Sequence, residues 1–394
     1  MKKKIIIAVL LVVLVISGYF IYNYLRIKYA KIEVTLKDNL EVPFLEDVKV
    51  SDFIENINGK IIDDYEIDTT KLGNKEISFK FINDDNIKVS YTYNIKVVDV
   101  TKPTIWLGNN YNVAVNSDID LTKKILCGDD YDNSPNCYIE GEYNLGEVGT
   151  YPLVFKAVDS SGNTEEVSFN LNVYEPKQTT TNKEKVYTYF NDVVTNYKNS
   201  NNKIGIDISS HQGDIDFSKL KEAGVEFVMI RVGYGYDNQN YLDKKFEEYI
   251  KAANENDIDV GVYYYSYASS SSEAKKQAKW VLKQIKKYKV TLPVVFDWEE
   301  WSNFNEYNLS FFGLTSLADD FLSIIKSNGY DGMLYGSKNY LENIWMSPKH
   351  DIWLAQYAKE VSYQGEYKMW QLCENGYVDG IDDYVDIDIL KTSN

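Results

Sequence analysis

After Lys203 the chain alternates short apolar runs with amphipathic stretches, and this alternation restricts its possible folds more than any other feature. Residues 204–208, 227–232, 260–264, 292–296 and 333–335 read as buried strands, because each is a short run of apolar and aromatic residues. Between them, Leu242, Phe246, Tyr249, Ile250 and Ala253 mark one apolar helix stripe, and Ala274, Ala278, Val281, Leu282 and Ile285 mark another. Leu314, Leu317, Phe321, Ile324 and Ile325 mark a third, which Asn328-Gly329 should stop as a C-cap. Repeated strand and helix units demand a largely parallel sheet, open or closed. The first strand is not followed by a glycine-rich phosphate loop, which weighs against a nucleotide-binding open sheet. Past Asp351 the helical pattern fades and strand-like pieces at 352–355, 368–371 and 385–389 crowd together, which suits a barrel closed by bare strands.

Several of these strands end in acids. Leu292-Pro293-Val294-Val295-Phe296 leads into Asp297-Trp298-Glu299, and because side chains alternate along a strand, Asp297 and Glu299 share one face with Trp298 opposite. Asp207 ends the first strand, and Asp386 and Asp388 lie on one face of the last. In a β/α barrel the working groups sit at the C-terminal strand ends, and closure makes the first and last strands neighbours, so Asp207 and Asp386 should meet. Carboxylates gathered in this way cannot all ionise, so one keeps a proton at neutral pH. A single strand-end acid more often caps a helix or meets solvent; coincidence at three strand ends is what favours a site. His211, just after the first strand, has no Ser/His/Asp pattern around it and reads as a hydrogen-bonding residue rather than a catalytic one.

Composition narrows the chemistry to those acids. Two histidines and three cysteines, with no C-x-x-C and no His pair at helical spacing, argue against a metal centre, and no cofactor motif is present. Lys and Arg total 42 against 59 Asp and Glu, a net charge of -17, so nucleic acid is not an expected partner. Tyrosine is frequent, at 34 residues. Tyr234, Tyr265, Trp298, Tyr335, Tyr357 and Trp370, all near strand ends, are the candidates to stack on a ring-shaped substrate, although core packing is the commoner use of such residues.

The first half is organised differently. Lys2, Lys3 and Lys4 precede an apolar run from Ile5 to about Tyr22, long enough for a membrane-spanning helix, so residues 1–28 are read as cytoplasmic lysines and an anchor. A cleaved signal peptide has a shorter apolar stretch and an A-x-A-like site, which this run lacks. Residues 32–100 and 101–175 read as two small β-sandwiches, from alternating segments such as 76–81 (E-I-S-F-K-F) and 167–173 (V-S-F-N-L-N-V) separated by Asp/Asn/Ser/Gly turns. Leu72-Gly73 and Leu145-Gly146 open equivalent strand pairs, which marks a repeat. With no reactive cluster in them, the sandwiches are expected to act as a spacer. Asp130, Asp132 and Asn136 do not make a calcium loop, because the EF-hand glycine is missing. Cys127 and Cys137 are expected to form a disulfide, leaving Cys373 unpaired. Residues 176–202 read as a polar linker, within which Val186, Phe190, Val193, Val194 and Tyr197 predict a short helix.

Residues 203–394 resemble the glycoside hydrolase family 25 muramidases. The resemblance runs in order through Gly205-Ile206-Asp207-Ile208-Ser209 with Gln212-Gly213, Phe227 to Gly233, Gly261-Val262-Tyr263-Tyr264-Tyr265 and Phe296-Asp297-Trp298-Glu299. It continues through Trp353-Leu354-Ala355-Gln356-Tyr357, Trp370-Gln371, Gly380-Ile381 and Val385-Asp386. It implies a TIM-like (β/α)5(β)3 barrel that cuts the β-1,4 bond between N-acetylmuramic acid and N-acetylglucosamine, with peptidoglycan as the partner. By motif, Glu299 would be the general acid and Asp297, Asp207 and Asp386 its electrostatic partners, with Gln371 and Asp388 joining the aromatics in binding substrate. The family usually reads V-D-x-N on the last strand, whereas this chain has Val385-Asp386-Ile387-Asp388, an extra acid. The two sandwiches resemble bacterial immunoglobulin-like surface domains by pattern. The expected whole is therefore a single-pass membrane protein with its cutting domain facing the wall. A silent wall-binding scaffold, or a hydrolase of another acetamido-sugar glycan, are the rival readings.

Overall fold

The computed structural model describes residues 2–176, 185–236, 239–346 and 348–392. The chain forms two compact units, residues 1–101 and 102–394.

In the first unit a helix spans Lys2–Lys28, and from Leu10 onward it is long and apolar enough to cross a membrane, with its apolar side chains unburied. Beyond it lie a four-stranded sheet (Glu41–Pro43, Lys88–Val98, Gly73–Asn83 and Gly59–Ile61) and a two-stranded one (Val34–Leu36 with Ile54–Ile57). Strict alternation along Gly73–Asn83 turns Ile77, Phe79 and Phe81 inward, where they pack with Val50, Tyr93, Ile95 and Val97.

The second unit opens with a similar pairing of sheets, one of four strands (Asn136–Glu140, Gly149–Val158, Thr164–Tyr174, Asn110–Ala114) and one of two (Thr104–Ile105, Cys127–Gly128). Phe155, Leu171, Leu121 and Ile125 fill its core, and a disulfide between Cys127 and Cys137 ties the two sheets together. Cys373 is free and buried. Asp132 spends its carboxylate on the backbone N–H groups of Ser134 and Ser160, which makes it a turn residue.

Eight strands of a ten-stranded sheet then close into a ring: β1 (Asn202–Ile208), β2 (Phe227–Tyr236), β3 (Asp259–Tyr265), β4 (Val294–Asp297), β5 (Gly332–Ser337), β6 (Asp351–Ala355), β7 (Met369–Tyr377) and β8 (Val385–Lys391). β1 to β7 run parallel. β8 runs antiparallel to both β7 and β1 and seals the ring. The first five strands are each followed by a helix: α1 (Phe217–Glu222), α2 (Phe246–Glu255), α3 (Ser271–Ile285), α4 (Phe311–Ser327) and α5 (Lys338–Asn343). Ser270 caps α3 and Ser310 caps α4, each hydroxyl accepting a first-turn N–H, and Gly329 (φ +86°) ends α4 in the left-handed region that glycine adopts without strain.

The ring has two apolar layers. Outward-facing residues such as Val228, Ile230, Val262 and Phe296 meet the helix stripes, while Phe227, Met229, Val295, Met333, Met369 and Leu390 plug the interior. Gly205 faces that plug, where a Cβ would collide with Phe227.

Two expectations need correction. Leu242 does not belong to the α2 stripe; it ends a strand, Gln239–Leu242, that folds back on β2 and stacks Tyr241 on Tyr234. The segment read as a linker is not a free tether in its second half. Thr188–Tyr189 pairs with β7, and a helix at Phe190–Tyr197 buries Phe190 and Val193 against the ring. Its residues 177–184 lie outside the described residues.

Candidate active site

Because successive side chains alternate, the odd-numbered residues of β1, β3 and β4 point into the ring, and the apolar plug fills only the lower part. Above the plug, at the C-terminal ends of the parallel strands, lies a cavity of about 220 Å³. Asp207, Arg231, Tyr263, Tyr265, Asp297, Glu299, Tyr335, Trp353, Gln371 and Asp386 line it, together with Ser209, His211 and Gln212 from the turn after β1. Ring closure sets Asp207 directly opposite Asp386 in the β1–β8 register.

Gln371 organises the acids. Its amide nitrogen donates to Asp207 Oδ2 at 2.8 Å and to Asp386 Oδ2 at 3.3 Å. Its amide oxygen accepts from Tyr335 Oη at 2.9 Å and Tyr357 Oη at 3.1 Å. Asp388 lies one step deeper, fully buried, and accepts from Trp353 Nε1 at 2.8 Å. Asp388 is therefore a floor acid beneath the cavity rather than a substrate contact, and Asp386 is the one that lines the opening.

Burial and mutual repulsion hold protons on this cluster. Burial, reinforced by Asp388, lifts the Asp207 carboxyl well above the usual range. Burial does the same to Asp388, with Asp386 adding to it, and burial then Asp207 push Asp386 up to about 9. Asp297 is raised by burial first and by Glu299 second, with Arg231 opposing. Glu299 stands at the rim with one side open to solvent, and crowding by the cavity walls, then the charge of Glu300, raises it too. Asp297 Oδ1 is buried with no hydrogen-bond partner among the described residues, and the charges of Glu299 and Asp207 crowd it, so ionising Asp297 and Glu299 together is disfavoured.

The remaining candidates divide. Tyr265, Tyr335 and Gln371 line the cavity, and Tyr357, half exposed, reaches it through Gln371. Tyr234 is exposed further out on the Gln239–Leu242 hairpin side, stacked on Tyr241. Trp298 points away from the cavity: it is buried among Trp301, Phe304 and Tyr307, and its Nε1 donates to Ala268 O. Trp370 also faces outward, donating to Gln356 O, beside a cleft of about 470 Å³ near Tyr197 that holds no acid. Neither tryptophan can stack on a ligand in the cavity, because both occupy the even, outward face of their strands.

Sequence reasoning missed Arg231, Tyr263 and Trp353. Arg231 donates through Nε and a terminal nitrogen to the buried Asp243, at 2.9 and 2.8 Å, and lies in the cavity wall. The signal was available, since an arginine inside the apolar run 227–232 must find an acid or leave the strand.

Residues 206–381 match the family described as Glycosyl hydrolases family 25. An autolytic lysozyme of Clostridium acetobutylicum is 26% identical over 187 residues, 47% of this chain and 54% of that protein. Among solved structures, the modular autolysin LytC from Streptococcus pneumoniae, in complex with a synthetic peptidoglycan ligand, is 26% identical with a TM-score of 0.45, covering 60% of this chain and 56% of that one. A family 25 glycosyl hydrolase from Bacillus anthracis is 23% identical with a TM-score of 0.42, covering 50% of this chain and 92% of that one. The chain thus spans little more than half the length of the lysozyme and of the autolysin. Over residues 206–381, then, this chain carries a family 25 glycosyl hydrolase domain.

Proposed function

We propose that the chain is a muramidase that cleaves the β-1,4 bond between N-acetylmuramic acid and N-acetylglucosamine in peptidoglycan, held at the outer face of a membrane by its N-terminal helix. The observation that carries this reading is the Asp297–Glu299 pair, one acid sealed in and the other at the rim, gathered with Asp207 and Asp386 around one cavity. Glu299 gives its proton to the glycosidic oxygen as the bond to the leaving sugar breaks, and Asp297 in its ionised form offsets the positive charge that builds on the sugar ring, while Asp207 and Asp386, which hold protons, are hydrogen-bonding partners beside it. Attack by the substrate's own acetamido oxygen retains the anomeric configuration and attack by water inverts it, so the first anomer released identifies the nucleophile. Tyr265, Tyr335, Tyr357 and Gln371 are the substrate contacts in this reading, and no cofactor takes part.

The closed ring, with helices after its first five strands and bare strands after, is read as the TIM-like (β/α)5(β)3 barrel, and the paired sheets as immunoglobulin-like sandwiches. Lys2, Lys3 and Lys4 keep the N-terminus in the cytoplasm and send everything after Arg26 toward the wall.

The test is digestion of purified peptidoglycan by the full chain in mild detergent, followed by borohydride reduction and mass analysis of the new ends. Reduced muramic acid ends are expected. Reduced glucosamine ends would assign a different glycosidic bond, and the absence of new ends would favour a binding scaffold.

A further inference from the structure

The turn that carries Glu299 away from β4 does not stand on the ring alone. Trp301–Glu306 forms a 3-10 turn directly after Glu299-Glu300, and Trp301 N–H donates to Glu299 O at 2.8 Å. The adjoining β-sandwich of the same unit grips this turn. Asn305 Oδ1 accepts from Cys127 N at 2.9 Å, and its Nδ2 donates to Thr122 O at 2.9 Å and Ile125 O at 2.8 Å. All three side-chain hydrogen bonds of this asparagine therefore end on the sandwich backbone.

A second line leads to the acids themselves. Lys124 Nζ donates to Asn303 Oδ1, and Asn303 Nδ2 donates to Glu300 Oε2 at 3.1 Å. Glu300 is the neighbour of Glu299, and its other oxygen lies 3.5 Å from the hydroxyl of Tyr265 in the cavity wall. On the far side of the turn, Trp301 stacks on Tyr340 at 4.0 Å, and Tyr340 packs on Trp106 of the sandwich at 5.1 Å. The start of α4 is held as well: Phe311 N–H and Phe312 N–H donate to Asp129 O and Asp130 O, and Ser310 N–H donates to Asn133 Oδ1.

We propose that the second β-sandwich is a structural arm of the catalytic site, with Asn305, Asn303 and Lys124 as positioning residues that fix the Glu299-Glu300 turn at the cavity rim. This rests on the muramidase reading, and it replaces the expectation that this sandwich is only a spacer. A freely hinged spacer would not send three backbone groups to one side chain in the catalytic turn. Nor would it fit so closely that a Cβ at Gly128 would lie 2.5 Å from the Phe311 ring. Small displacements of a proton donor cost rate steeply, on the order of a hundredfold for about 1 Å, so bracing this turn matters for turnover more than for binding.

The experiment uses the full chain with Asn305→Ala, Lys124→Met and Lys124→Arg, measuring kcat and KM on solubilised peptidoglycan, the unfolding midpoint, and amide hydrogen exchange across residues 299–306. Asn305→Ala and Lys124→Met are expected to lower kcat by about tenfold or more with KM changed less than about twofold, and to speed exchange in the turn. Lys124→Arg should restore both readouts, with the unfolding midpoint held in the two Lys124 variants and lowered, with the fold kept, in Asn305→Ala, which leaves three backbone groups unpaired. Turnover and exchange that match the parent in both disruptive variants would overturn the proposal. If the parent itself does not cut, the muramidase reading fails and the exchange data alone decide whether the sandwich braces the turn.

Discussion

Asp297 Oδ1 and Asp388 Oδ2 are both sealed inside the ring with no hydrogen-bond partner among the described residues, and each acid is crowded by the charge of another carboxylate. The partner each oxygen needs is a proton, and holding protons on buried acids has a consequence for stability. The unfolded chain ionises its Asp near 3.9, whereas Asp388 in the fold stays protonated far above that. The native state therefore binds more protons, so the stability this group contributes is complete below about 4 and is lost as pH rises toward the folded value. Asp388→Asn keeps the acceptor for Trp353 Nε1 and supplies a permanent donor toward Asp207. Its unfolding midpoint should equal that of the parent near pH 4 and exceed it at pH 8, by about 2–4 °C for each kcal/mol gained. An equal gain at both pH values would contradict the buried-proton assignment. Strand alternation made it legible that Asp386 and Asp388 share a face, but not which lies deeper, because depth depends on how the whole ring is plugged. The same alternation, applied to Trp298 and Trp370, already pointed them outward, and their aromatic character was the weaker guide.

At the scale of elements, the strands and capped helices of the ring were legible because each carries its own periodic signal. Ser310 before α4 and Asn328-Gly329 after it are local features, and local physics decides them. Leu242 misled because its spacing fits a helix, while the stacked Tyr234 and Tyr241 favour a hairpin. The grip on the 301–306 turn left no signal at all: Asn305 and its partners lie about 180 positions apart and depend on tertiary docking. The helix at Lys2–Lys28 is the element with the clearest consequence for location. Its exposed apolar side chains have a favourable environment in a lipid core. The full chain expressed in a bacterial host is expected to sediment with membranes, resist high-salt and alkaline washes, and keep its N-terminal mass. A soluble product shortened by that helix would identify a cleaved signal instead.

At the scale of the molecule, ring closure is the step that makes chemistry out of separate strands. Asp207 and Asp386 are distant in sequence, and only the antiparallel pairing of β8 with both β7 and β1 brings them face to face under Gln371. That outcome could be read from sequence once the strand–helix alternation was recognised as closing. The docking of the second pair of sheets on the ring could not, since nothing in either pattern encodes the partner. The central claim is that the crowded acids keep a proton which Glu299 delivers. The most direct measurement is turnover on purified peptidoglycan by the full chain and by Glu299→Gln, with folding of both verified by unfolding midpoint. The account predicts that the variant folds like the parent and loses about a hundredfold or more in kcat. A folded Glu299→Gln protein that releases product at the parental rate would contradict it.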